Sequence, residues 1–159
     1  MSTTRHSATI EAIYASLPSV PCKGLCTANC GPIVPTLAEE DYIRAHGHKP
    51  PRPRHNLTCS KLTPEGRCAI HSVRPLICRL FGATRAYEMA LFCTHGCIPD
   101  RWLSHDEVRT LLERMGDLEG ESVERLRQSL TLMVGNVGLD KLSRLHAEAL
   151  LRKNDSHKD

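Results

Sequence analysis

Gly66-Arg67-Cys68-Ala69-Ile70-His71-Ser72-Val73-Arg74-Pro75-Leu76-Ile77-Cys78-Arg79-Leu80-Phe81 is the stretch on which the reading of the chain turns. Two thiols stand with nine residues between them, with an Arg-Pro step midway and an arginine directly after the second. Pro64-Glu65-Gly66 has turn chemistry and should deliver a short strand over 67–70. Pro75 suits the first turn of a helix, where its missing N–H costs nothing, and that helix should run to a stop at Gly82. It would turn Cys78 inward and Arg79 to a neighbouring face.

Working outward, Cys59 precedes the stretch, Cys93-x3-Cys97 follows it, and Cys22-x3-Cys26-x3-Cys30 lies upstream. No cysteine follows Cys97, so all eight thiols serve one local structure. Aromatic residues are only 4% of the chain, and the cysteine-bearing half is dense in Pro, Gly and Arg. Such a stretch needs staples, either disulfides or metal. The N-terminal residues carry no apolar signal segment and no run is long enough to span a membrane, so the expectation is a cytoplasmic protein with no membrane partner. Clustered thiols there are metal ligands before they are disulfides. The net charge of +3 by itself implies no nucleic-acid partner.

The rest of the chain reads as a frame for this module, mostly α with little β. Ile10, Ile13, Tyr14 and Leu17 recur at helical spacing over 9–17. Thr36-Leu37-Ala38-Glu39 is a capping box, predicting a helix to about His46 with Gly47 as its stop. The proline-rich basic segment 48–55 reads as a solvated linker; without interleaved aromatic residues it supports nucleic-acid binding only weakly. A second strand is expected over 84–89. Ser104-His105-Asp106-Glu107 is another capping box, opening a helix with Val108, Leu111, Leu112 and Met115 on one face and Gly116 closing it. Further helices are expected from Ser122 and from Leu139. The organisation is one domain over 1–154: an N-terminal helix in 1–20, the cysteine-cluster module in 21–100, and a helical scaffold in 101–154 that packs on the module. A frayed tail follows over 155–159.

Eight thiolates fill two tetrahedral zinc sites, or ligate one or two iron–sulfur clusters. Every close pair here is C-x3-C, whereas structural zinc modules mostly use C-x2-C knuckles, so the spacing favours an iron–sulfur cluster over zinc. The candidate ligands are Cys22, Cys26, Cys30, Cys59, Cys68, Cys78, Cys93 and Cys97. His95 lies inside the last pair and His71 follows Cys68, each a possible ligand or hydrogen-bond donor to a thiolate, with a polar strand-edge residue the plainer reading of His71. Arg67, Arg74, Arg79 and Arg85 form a local excess of positive charge. Arg74 and Arg79 are the candidates to compensate the thiolates, Arg79 first by its adjacency to Cys78, or else to hold an anionic small molecule.

Cys68-x-Ile70-x3-Arg74-Pro75-x2-Cys78-Arg79-x-Phe81 resembles the signature of the YkgJ-type cysteine cluster proteins, a family described as zinc- or iron-chelating. Cys59, the first cysteine group and the capped helix behind it fit the same pattern, so the resemblance spans about residues 20–100. Two positions depart from it: the family's first group is tighter, with adjacent cysteines, and tyrosine is usual where His71 stands here. The resemblance implies metal binding. Some members resemble flagellin lysine methylases, which use S-adenosylmethionine, but this chain has no Gly-rich strand-to-helix motif for that nucleotide.

Three functions follow as expectations: a redox or cluster-dependent metallocluster protein, a zinc-stabilised module docking on a protein or nucleic acid, and a modifying enzyme. No Ser–His–Asp constellation, paired-carboxylate motif or phosphate loop is present, so the residues decide neither for nor against an enzyme.

Overall fold

Two of the helices begin where a hydroxyl stands three residues ahead of a glutamate. The computed structural model describes residues 5–25, 30–31, 33–52, 54, 58–85, 91, 93 and 95–118. In chain order these hold helix α1 (Ser7–Ala15), helix α2 (Leu37–Ala45), a 3-10 turn (His71–Val73), helix α3 (Leu76–Leu80) and helix α4 (His105–Asp117). Thr36 caps α2 and Ser104 caps α4, each in a complete reciprocal box with Glu39 and Glu107. β pairing among the described residues is confined to two isolated bridges, Leu62 with Cys68 and Thr84 with Leu103. The architecture is mostly α with little β.

The apolar spacing of each helix buries one face in a shared core. Ile10 and Ile13 of α1, Ile43 of α2, Leu76 and Leu80 of α3, and Val108 and Met115 of α4 are all fully enclosed. Each contributes roughly 1.5–3 kcal/mol through removal of apolar surface from water. α1 packs on α2 and α4, and α3 packs on α4. The short α3 thus has its Leu76, Ile77 and Leu80 side against this core.

A buried carboxylate ties three of these elements together. Glu39 Oε2 accepts from the Thr36 N–H at 3.0 Å, closing the α2 box, while Oε1 accepts from the Leu76 N–H at 2.6 Å at the start of α3. The Tyr14 hydroxyl of α1 donates to the same Oε1 at 3.2 Å. One side chain therefore caps two helices and holds a third. Burial pushes the Glu39 carboxyl pKa up, and the donors from Leu76, Thr36 and Tyr14 pull against that shift.

Several expectations need correcting. α1 begins at Ser7 and ends at Ala15, earlier than periodicity placed it. α4 continues through Gly116, which is buried inside the helix, to Asp117. The basic segment 48–55 is no solvated linker where it is described. Pro50 and Pro51 are buried, and Arg52 makes two bonds to the buried carboxylate of Glu40, at 2.6 and 3.0 Å. Those bonds, with Arg44, hold the Glu40 carboxyl below the usual range. The strand expected over 67–70 shrinks to the one bridge at Cys68, because His71 turns at once into the 3-10 helix. Thr84 makes a single bridge, and 86–90 lie outside the described residues. The helices expected from Ser122 and Leu139 also lie outside them.

Glu39→Ala strips the acceptor from the Thr36 and Leu76 N–H groups and from the Tyr14 hydroxyl. Its expected cost is about 3 kcal/mol, from lost caps and buried unpaired donors. Glu39→Gln should cost less but not zero, since its amide turns a donor toward donors. Urea unfolding of the two variants measures both; a cost under about 0.5 kcal/mol for Glu39→Ala would contradict the double cap.

Candidate metal centre

Each cysteine is brought to its place by a local device. Cys59 and Cys68 flank a tight hairpin, in which the Thr63 N–H donates to the Arg67 carbonyl at 2.8 Å and the Ala69 N–H to the Lys61 carbonyl at 2.9 Å. Gly66 turns it with φ 73°, left-handed backbone that other residues resist. The Cys59 N–H donates to the Cys30 carbonyl at 2.8 Å, tying the first cysteine group to the hairpin. Cys78 is carried by α3. Gly82, at φ 80°, lets Cys93 approach: a Cβ there would meet the Cys93 Cβ at 3.3 Å. Lys23, next to Cys22, donates to the His95 carbonyl at 3.2 Å and so holds the two ends of the cysteine sequence side by side.

The result is one cavity of about 330 Å³, and all seven described cysteines line it: Cys22, Cys30, Cys59, Cys68, Cys78, Cys93 and Cys97. All seven are free thiols. Cys26 lies outside the described residues. Val20, Ile33, Leu62 and Phe81 supply apolar wall, while Arg74 and His71 add polar groups. The space is about ten times the volume a water molecule takes in the liquid. Among the described residues, no three His, Cys, Asp or Glu side chains converge where a single ion would sit.

The thiol pKa values of Cys68 and Cys78 are raised and that of Cys93 is lowered. Burial pushes Cys78 well above the ordinary thiol range, and the neighbouring Cys59, Cys68 and Glu39 push it further, against the pull of Arg74. Burial likewise raises Cys68, opposed by the Ile70 N–H and Arg74 and reinforced by Cys59 and Cys22. At Cys93 the balance reverses. Burial still acts upward, but the N–H groups of Cys97 and His95, the Cys97 thiol and Lys23 bring it below the ordinary value. Repulsion within the Cys59, Cys68 and Cys78 set disappears when a cation sits among them. Soft donors gathered around one space, with cationic side chains beside them, fit a thiolate-held metal.

The two arginines expected beside the thiols have different places. Arg74 lines the cavity and lowers both Cys68 and Cys78. Arg79, expected to compensate Cys78 because it follows it, faces away. Its guanidinium stacks on the Tyr14 ring at 3.9 Å and donates to the carbonyls of Arg74 at 2.9 Å and Ser72 at 2.6 Å. The reason is helical: successive side chains diverge by about 100°. Arg79 clamps the 3-10 turn to α1 and α3. His71 reaches the cavity, but its Nε2 is paired with Arg74 Nη1, and burial, with Arg74 and Arg79, lowers its pKa. It holds the arginine rather than standing open as a ligand. His95 also lines the cavity. Glu39 and Lys23 were missed in the sequence. The capping box revealed only the local role of Glu39, and a lysine between cysteines has no pattern to mark it.

With this geometry in hand, the family comparison is direct. The CxxCxxCC family carries the description "Putative zinc- or iron-chelating domain". Residues 21–98 match that family's model. No curated protein and no solved structure matches the chain. The CxxCxxCC match begins one residue before Cys22 and ends one after Cys97, so it frames the thiols that line the cavity. The match supports a metal-binding, cysteine-rich protein, and the seven thiols lining the cavity are consistent with zinc or iron.

Arg74→Gln should weaken metal binding about tenfold at neutral pH, as loss of a supporting group around a metal commonly does, and move metal uptake to higher pH. Arg79→Gln should leave metal affinity unchanged and lower the melting temperature. Competition against a chromogenic chelator and a melting curve, run on both, read the two effects separately. Cys78→Ser should lose most of the metal, whereas the exposed Cys22, which water can replace, should tolerate serine with partial retention. Metal analysis after gel filtration checks that order.

Proposed function

We propose that the cavity holds an iron–sulfur cluster of the [4Fe-4S] type and that the protein works in the cytoplasm in redox or cluster-dependent chemistry. The observation that carries this reading is the shared cavity. Seven described thiols surround one space of about 330 Å³. Tetrahedral zinc asks four donors to meet at about 2.3 Å from one centre, whereas a polynuclear cluster spreads its ligands around a larger body. A cluster there would supply one-electron transfer. This chain's own residues would hold it through cysteine thiolates, place Arg74 against its negative charge and keep water back with Ile33, Leu62 and Phe81. Thiols kept as ligands also call for a reducing compartment.

A zinc-stabilised binding module is the second reading. It is supported by the number of thiols, since eight cysteines fill two tetrahedral mononuclear sites. Anaerobic purification with an absorption spectrum and analysis of iron, zinc and acid-labile sulfide separates the two. The iron–sulfur reading expects a brown protein with iron and sulfide in equal amounts. Colourless protein with stoichiometric zinc would overturn it.

Either metal should also stabilise the fold, because binding to the folded state alone adds its free energy to stability. Chelation of the reduced protein should therefore lower the melting temperature by about ten degrees or more. An unchanged curve with the metal shown to be gone would contradict a role in folding.

A further inference from the structure

The walls of the cavity are held to the rest of the molecule in unequal ways. The hairpin that carries Cys59 and Cys68 runs into Ile70 and Val73, and α3, which carries Cys78, has Leu76, Ile77 and Leu80 beneath it; all five aliphatic residues are buried in the core. Neither wall can leave without exposing core surface to water. A third side is built from two neighbouring segments, 16–25 and 95–101, which between them supply Val20, Cys22, Gly24, Leu25, His95 and Cys97 to the lining. Arg101 Nη2 donates to the Ser16 carbonyl at 3.3 Å, the Ser19 N–H to Asp100 Oδ1 at 3.1 Å, the Asp100 N–H to the Ser19 carbonyl at 3.0 Å and Lys23 Nζ to the His95 carbonyl at 3.2 Å. The residues on both sides of these bonds are exposed. Segment 95–101 turns only Cys97 and Pro99 inward, with Ile98 67% exposed. Its flanks are fixed more firmly. A Cβ on Gly82 would meet the Cys93 Cβ at 3.3 Å, and the N–H of the buried Leu103 donates to the Ala83 carbonyl at 3.0 Å. A short seam of water-exposed hydrogen bonds between fixed flanks is the pattern of a unit that opens locally. Of the seven described thiols Cys22 alone is exposed, and it stands at this seam, whereas Cys59, Cys93 and Cys97 are buried.

We propose that this seam is the gate through which metal enters and leaves the cavity, segments 19–23 and 95–100 parting while the hairpin and α3 stay in place. The proposal rests on the metal-binding reading above and holds for zinc and iron alike. Metal arriving at the seam meets the exposed Cys22 first, and the buried Cys59, Cys93 and Cys97 close around it once the segments have parted. Parting costs surface hydrogen bonds that water replaces, so it needs far less free energy than unfolding the core that anchors the other two walls.

Zinc(II) is the probe, because cysteine thiolates hold it whichever metal the cavity carries. The full chain is loaded under reducing, anaerobic conditions, and release is followed into a chromogenic chelator at concentrations where the rate no longer depends on chelator. Affinity is measured by competition on the same samples. Asp100→Ala removes the acceptor of the Ser19 N–H, and Asp100→Ala/Arg101→Ala also removes the donor to Ser16; neither residue lines the cavity. Lys23 stays unchanged, since it also acts on Cys93. Expected is release about fivefold faster in the single variant and about tenfold or more in the double one, with affinity within about threefold of the parent, so that uptake quickens alongside release. Arg109→Ala, which breaks an exposed ion pair on α4 instead, should leave both quantities unchanged. Release unchanged in both seam variants, faster release matched by an equal loss of affinity, or the same acceleration in Arg109→Ala would overturn the proposal. If a variant folds poorly, the parent decides alone: the urea dependence of its release rate should be a small fraction of the equilibrium unfolding slope, since a parted seam exposes little surface. A dependence equal to that slope means that metal leaves only on global unfolding, and overturns the gate. A chain that takes up no zinc counts against the metal-binding reading as well, whereas zinc held with a release rate indifferent to the seam counts against this proposal alone.

Discussion

The structure depends on one carboxylate. A helix start leaves N–H groups without partners, and two such starts, those of α2 and α3, meet at Glu39. The side chain is almost wholly buried, so its charge or its proton is stabilised only by the donors around it. Because the Leu76 N–H lies two residues before Cys78, the bond that satisfies Glu39 also fixes the helix that carries a thiol. Tyr14 extends the arrangement to α1 and offers its ring to Arg79, whose guanidinium then grips the turn between Cys68 and Cys78. A chain of polar contacts thus runs from the N-terminal helix to the wall of the cavity.

This explains how a stretch poor in large apolar residues is positioned at all. α3 has its leucines in the core, while Cys78 lines the cavity. Core and cavity share an element without competing for the same surface. On the cavity side the opposing forces are electrostatic. Burial raises Cys68 and Cys78 and neighbouring thiols raise them further, Arg74 offsets part of that, and at Cys93 backbone N–H groups outweigh burial. His71 pairs with Arg74 beside the thiols.

Much of this was legible in the sequence where the signal is local. The boxes Thr36–Glu39 and Ser104–Glu107 announced their helices, Pro64-Glu65-Gly66 reads as a turn, and the confinement of the thiols agrees with seven of them lining one cavity. What failed was reasoning by adjacency. Arg79 follows Cys78 in sequence, yet a single helical step turns it toward Tyr14, while Arg74, four residues before Cys78, faces the thiols. Segment 48–55 looked solvated because it is basic and proline-rich, but Arg52 finds a buried partner in Glu40, twelve residues back. The second cap made by Glu39 spans 37 residues, and no periodicity encodes a contact of that range.

The central claim is that the thiols serve one metal centre in one cavity. X-ray absorption at the metal edge of the anaerobically isolated full chain tests it most directly. The account predicts a first shell of sulfur alone, together with scattering from a neighbouring metal atom. A shell containing nitrogen or oxygen, or isolated four-sulfur zinc at about 2.3 Å with no metal neighbour, would contradict it.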